Sequence, residues 1–161
     1  MKFLTKFEKW LSGLGAFLSA LFIIALVLLI LTEIFMRSFL DKSTMLADEY
    51  SGYFYLASVF LGLGYTFSQK AHIRINILTA KLTSKWQSYF DIFAGTVTFS
   101  VISFIFYRVI LLTIDSYDFD ILSERVSETP IYLTQIPMII GSFIFVIALF
   151  TFIMKRITSD S

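Results

Sequence analysis

The sequence predicts an all-α integral membrane protein with four transmembrane helices, and three observations carry that prediction. Hydrophobic residues make up 57% of the 161-residue chain and charged residues 16%, with a mean hydropathy of +0.80. Ordinary globular chains hold about 45–50% and ~25% of each. Four long runs carry no charge: Trp10–Thr32, Tyr50–Gln69, Ile92–Tyr107 and Thr129–Met154. The lysines and arginines between them are unevenly divided, as the two faces of a membrane require. A soluble domain of this size could not bury so much apolar side chain, and a disordered chain would be poorer in it.

The first run begins after Lys2, Lys6 and Lys9. Its apolar core, Leu14 to Leu31, exceeds the roughly 7–15 residues of a signal-peptide core, and no A-x-A-like site follows, so it reads as a retained helix over 11–36. The second run gives a span over 49–69. The third is 16 residues, short of the ~20 that cross a hydrocarbon core of about 30 Å. Tolerating Arg108 extends it through Val109–Ile114, giving a span over 90–114. The fourth covers 131–154, with Pro130 and Pro137 placed at its start, where a missing amide costs little. All are helices because lipid offers backbone amides no partner, and barrel strands would be short and alternating. The whole chain, 1–161, is one four-helix membrane domain.

Counting lysine and arginine in the short loops orients the bundle. One side collects Lys2, Lys6, Lys9, Lys70, Arg74, Lys81, Lys85, Lys155 and Arg156, the other only Arg37, Lys42 and Arg125. The acids Asp41, Asp48, Glu49, Asp115, Asp118, Asp120, Glu124 and Glu128 fall on the second side. Both termini are therefore predicted to face the cytoplasm. Between spans 2 and 3, Leu78, Leu82, Trp86 and Phe90 recur every four residues, with Lys81 and Lys85 on other faces. This pattern fits a short amphipathic interfacial helix or an early start to span 3.

The inventory of reactive residues excludes most chemistry. There is no cysteine, one histidine (His72), a net charge of +1 and no phosphate-binding glycine loop, so no cofactor, metal, nucleic acid or enzymatic activity is expected. Glu33 and Arg108 are the ionisable groups placed inside spans, where each costs roughly 2.5–3.5 kcal/mol at mid-helix. Arg37 lies one turn beyond Glu33, and Arg108 can snorkel toward the outer face. Structural pairing is thus favoured over an ion relay, and similar depth predicts that Glu33 and Arg108 pair across neighbouring helices. Small residues four apart (Ser12, Ala16 and Ala20; Gly15 and Ser19; Ser58 and Gly62) predict close helix approach. No span carries the polar stripe or broken core of a substrate path. His72 reads as a hydrogen-bonded structural residue, since a metal would need further ligands.

Three segments, Asp48-Glu49-Tyr50, Leu61-Gly62-Leu63-Gly64-Tyr65 and His72-Ile73-Arg74-Ile75-Asn76, resemble the signature of the small membrane subunit of TRAP transporters, the DctQ-type family. In that pattern an acidic pair opens the second helix and a glycine-bearing segment lies within it. A histidine-isoleucine-x-valine-aspartate stretch follows at the cytoplasmic exit, and an arginine, here Arg37, ends the first helix. Asn76 departs from the usual aspartate, and no tryptophan precedes Asp48. The resemblance implies a bacterial inner-membrane subunit that forms a heterodimer with a large TRAP membrane subunit. A periplasmic substrate-binding protein would deliver an organic acid, such as a C4-dicarboxylate or sialic acid, for sodium-coupled uptake. This chain would be scaffold in the lipid bilayer, without substrate-binding, metal or catalytic residues. Glu33, Arg37, Asp48, Glu49, Gly62, His72, Arg74, Asn76 and Arg108 are then its structural or subunit-interface candidates. The alternatives are an independent homo-oligomeric channel or exporter, which would need a polar pore stripe, and an intramembrane enzyme, which the residue counts disfavour.

Overall fold

A computed structural model describes residues 2–69 and 84–159. Four helices follow one another, α1 over Lys2–Leu40, α2 over Ala47–Ser68, α3 over Ser84–Asp118 and α4 over Ile131–Ser159. Each contains nearly all of one predicted span, and α1, α3 and α4 run well past it. The 39 residues of α1 reach about 58 Å at helical rise, nearly twice a hydrocarbon core of ~30 Å. Helices α1, α3 and α4 are long and apolar enough to cross a membrane, over Phe3–Leu40, Tyr89–Asp118 and Ile131–Thr158. The 22 residues of α2 are long enough too. Four tyrosines and three glycines dilute its apolar content, and it is wedged between α1 and α4.

The helices alternate in direction. The start of α1 meets the end of α2 through Glu8 and Ser68, and the start of α3 meets the end of α4 through Asp91 and Arg156. Both ends of the chain therefore lie at one end of the bundle. Small residues set the seams. Gly15 faces the Leu61 carbonyl so closely that a Cβ there would stand 2.7 Å from it, and Ser19 Oγ donates to the Ser58 carbonyl at 2.7 Å. The close helix approach expected of Gly15, Ser19, Ser58 and Gly62 is found between α1 and α2. The tightest seam, between α2 and α4, was not foreseen: a Cβ on Gly141 would lie 2.4 Å from backbone atoms of Phe60. Around these seams Ala57, Leu61, Ile144, Phe145, Ala148 and Leu149 are buried, and Phe67 packs edge-on against both Phe145 and Phe152.

Local signals explain the ends. Helix α3 closes in a Schellman turn, with the Ile121 amide donating to the Ser116 carbonyl, the Asp120 amide to that of Tyr117, and Asp120 in the left-handed region at φ 47°. Aspartate tolerates that conformation better than most residues. Pro130 stands just before α4, as expected, but Pro137 lies inside it, past the first turn where a proline leaves the hydrogen-bond ladder intact. Trp86 and Phe90 belong to α3, whereas Leu78, Lys81 and Leu82 lie outside the described residues, and with them the question of a separate interfacial helix.

Candidate functional site

Four of the predicted charged residues, Glu33, Arg37, Asp48 and Glu49, lie at the end of the bundle away from the termini. Glu33 is buried in the last turns of α1, and the chain that follows folds back over it. Arg37 Nε donates to Glu33 Oε1 at 2.6 Å, Ser43 Oγ donates to the same oxygen at 2.5 Å, and the Thr44 amide donates to Oε2 at 3.0 Å. The Thr44 hydroxyl also donates to Oε2. One carboxylate thus closes the connection between α1 and α2. Arg37 reaches on toward Asp48 at 3.8 Å, which joins three predicted residues in one cluster. A carboxylate held by an i,i+4 arginine and three loop donors is a clamp, because each bond is charge-assisted.

Glu49 extends the cluster into the connection between α3 and α4. It is buried, accepting from Tyr53 Oη at 3.1 Å and from Ser127 Oγ at 2.8 Å. Ser127 and Tyr50 both contact the Thr129 hydroxyl, at 2.6 and 2.8 Å. A single antiparallel bridge between Leu122 and Pro130 pinches this loop, so residues 119–130 fold back over the start of α2. The acidic pair that opens α2 therefore divides its work: Asp48 stays exposed toward Arg37, and Glu49 pins the far loop.

The pairing expected between Glu33 and Arg108 does not occur. Both carboxylate oxygens of Glu33 are taken by its own helix end and loop, and α1 packs chiefly on α2 while α3 packs chiefly on α4. Arg108 is exposed on α3, next to the buried Val109, and no ion pair to it is found among the described residues. Gly62 lies apart from the charged cluster, on the α1–α2 seam, where its position faces Ser19. His72, Arg74 and Asn76 fall outside the described residues.

Two further charged anchors were missed at the opposite end. Arg156 binds Asp91 through Nε at 3.1 Å and through Nη2, tying α4 to α3. Glu8 is buried, accepting from Ser12 at 3.3 Å and from Ser68 of α2. The sequence placed Glu8 in a terminal tail and Asp91 just outside a charge-free run. The helices are longer than the charge-free runs, which brings both acids into helix contacts.

These features define a class first: a helical membrane protein whose charged residues brace helix ends around an apolar middle. The family of tripartite ATP-independent periplasmic transporters, DctQ component, matches residues 26–159, and the chain belongs to that family. It is therefore a TRAP transporter small subunit, a transporter component and not a member of an enzyme family. No curated protein and no solved structure matches it.

Proposed function

We propose that the chain is the scaffold of its transporter, supporting a large carrier subunit while a periplasmic binding protein supplies an organic acid for sodium-coupled uptake. In this reading all four helices cross the bacterial inner membrane, α2 included, and both termini lie in the cytoplasm, on the lysine- and arginine-rich side. The observation that carries the scaffold role is the outer face of α1. Phe17, Leu21, Ile24, Leu28, Leu31 and Phe35 are all exposed, and they follow one another at alternating intervals of four and three. They belong to a broad apolar face that also exposes Ile23, Val27, Ile30 and Ile34, and a face that wide beyond the chain's own seams can seat a neighbouring helix. The clamped end fits the same role, since Glu33 and Glu49 are engaged in holding loops and are poorly placed to relay a proton or ion. The exposed Asp48, Lys42 and Arg125 around the Arg37 cleft would face the binding protein.

The experiment is co-expression with the large carrier. Tryptophan at Ile24 or Leu28 should abolish co-purification and uptake together, leaving the chain itself folded. Alanine at Glu33, Arg37 or Arg108 should weaken assembly and uptake in parallel, with unchanged apparent sodium affinity in the surviving complex. A selective change in sodium coupling would refute the scaffold reading, as would a homo-oligomer that conducts ions without the carrier.

A further inference from the structure

At the end of the bundle that holds both termini, a cleft of about 370 Å³ opens between α1, α2 and α4. Glu8 lies in its wall and is 4% exposed. Both hydrogen bonds to this carboxylate, from Ser12 and from Ser68, fall on Oε1. Oε2 has no hydrogen-bond partner, and no cation pairs with Glu8, among the described residues. A carboxylate oxygen left open on a cleft wall can take its partner from a ligand. Thr151, also in the wall and 4% exposed, holds a buried Oγ1 that has no hydrogen-bond partner among the described residues. The mouth of the cleft carries the opposite sign: Lys9 and Lys155 line it and are exposed. The deeper wall is aromatic, with Phe67 and Phe152.

The cleft thus asks for a ligand with a hydrogen-bonding cation that enters, an anion that stays at the rim, and an apolar remainder. Its level in the membrane supplies one. Trp10 and Trp86, each 61% exposed, sit at this same end, and exposed tryptophans mark the headgroup level of a bilayer. We infer that the cleft binds the headgroup of a primary-amine zwitterionic phospholipid, phosphatidylethanolamine. Its ammonium donates to Glu8 Oε2, and its phosphate lies between Lys9 and Lys155. A choline headgroup carries the same charges but has no N–H to donate, so hydrogen bonding separates the two lipids. The inference rests on the membrane setting of α1 and α4 and is independent of the carrier partner.

The test is native mass spectrometry of the full chain released from micelles doped with equal amounts of phosphatidylethanolamine and phosphatidylcholine. The expected result is retention of one ethanolamine lipid about tenfold over the choline lipid, the ratio that loss of one charge-assisted hydrogen bond produces. Glu8→Gln keeps the side-chain shape and should abolish that preference. The exposed pair Lys9→Ala with Lys155→Ala should reduce retention of both lipids without altering helix content. Equal retention of the two lipids, or an unchanged preference in Glu8→Gln, overturns the inference. So does binding of soluble O-phosphorylethanolamine with no lipid retained, which would assign the cleft to a free zwitterion.

Discussion

Replacing Gly141 by alanine is the sharpest perturbation of this fold. The added Cβ would stand 2.4 Å from both C and O of Phe60 and 2.8 Å from the Leu61 amide nitrogen, where ordinary contact begins at 3.4 Å. The obstacle is backbone, so no rotamer change relieves it, and α4 must move off α2 by about 1 Å. A gap of that size forfeits about a quarter to a half of each dispersion contact along the seam. Insertion of a methyl group into a packed core costs roughly 1–3 kcal/mol, and a rigid obstacle places this case in the upper half. Alanine returns up to ~1 kcal/mol of helix propensity relative to glycine, leaving a net loss of about 2 kcal/mol. Equilibrium unfolding of the purified chain in mixed micelles, followed by circular dichroism, measures it. Gly13→Ala and Gly52→Ala are the controls, since a Cβ at either position meets nothing within 4 Å, and they should be neutral or mildly stabilising. If Gly141→Ala unfolds with the wild type, or if the controls fall as far, the packing argument is wrong.

Glu33→Ala should accelerate proteolysis within residues 41–46 more than Arg37→Ala does, because losing Glu33 releases Ser43 and Thr44 while losing Arg37 leaves three donors in place; equal acceleration would contradict the clamp. Arg156→Ala should lower stability by about 1–2 kcal/mol, between the roughly 0–1 kcal/mol of an exposed pair and the ~3–5 kcal/mol of a buried one, because the Arg156 side chain is 34% exposed against 15% for Asp91; unaltered unfolding in the same micelles would refute it. Ser142→Ala should be neutral or stabilise by up to ~1 kcal/mol, since the buried Ser142 hydroxyl lacks a partner among the described residues and its removal cancels a desolvation cost. A loss exceeding ~1 kcal/mol there would mean that the hydroxyl is satisfied in the membrane.

Helix positions and the α1–α2 seam were legible in the sequence because they follow from local rules: charge-free length, and small residues one turn apart. The outer cluster was half legible. Arg37 one turn after Glu33, and the acidic pair opening α2, are spacings on single helices. The choice of Glu33's other partners is a loop property. Ser43 and Thr44 become its partners only when the chain doubles back over α1. Helix order defeated the pairing of Glu33 with Arg108, since equal depth does not make two helices neighbours. Glu8 and Asp91 escaped notice for a different reason. Charge-free runs delimit the apolar core, while helices continue into the interface, and it is there that an acid can be buried against a serine or an arginine of another helix. Gly141 had no partner at fourfold spacing strong enough to mark it, although its seam is the tightest in the bundle.

The two faces of α1 differ in residue size. Toward α2 it presents Gly15 and Ser19, which admit backbone at close range. Away from α2 it presents Phe17, Leu21, Ile24, Leu28, Leu31 and Phe35, all large and exposed. Lipid is as apolar as leucine, so neither face is set by hydrophobicity, and packing alone distinguishes them. A small-residue face suits the closest neighbour within the chain. A regular large-residue face suits a second helix that arrives at a wider separation after the bundle has formed. Assembly and folding should therefore respond to different substitutions. Ala at Ile24 or Leu28 should loosen the complex with the large subunit while leaving the isolated chain's unfolding unchanged, and Leu at Gly15 should do the reverse by unfolding the chain first. If both classes of variant fail together at the level of the isolated chain, the outer face belongs to the fold and is not reserved for a partner.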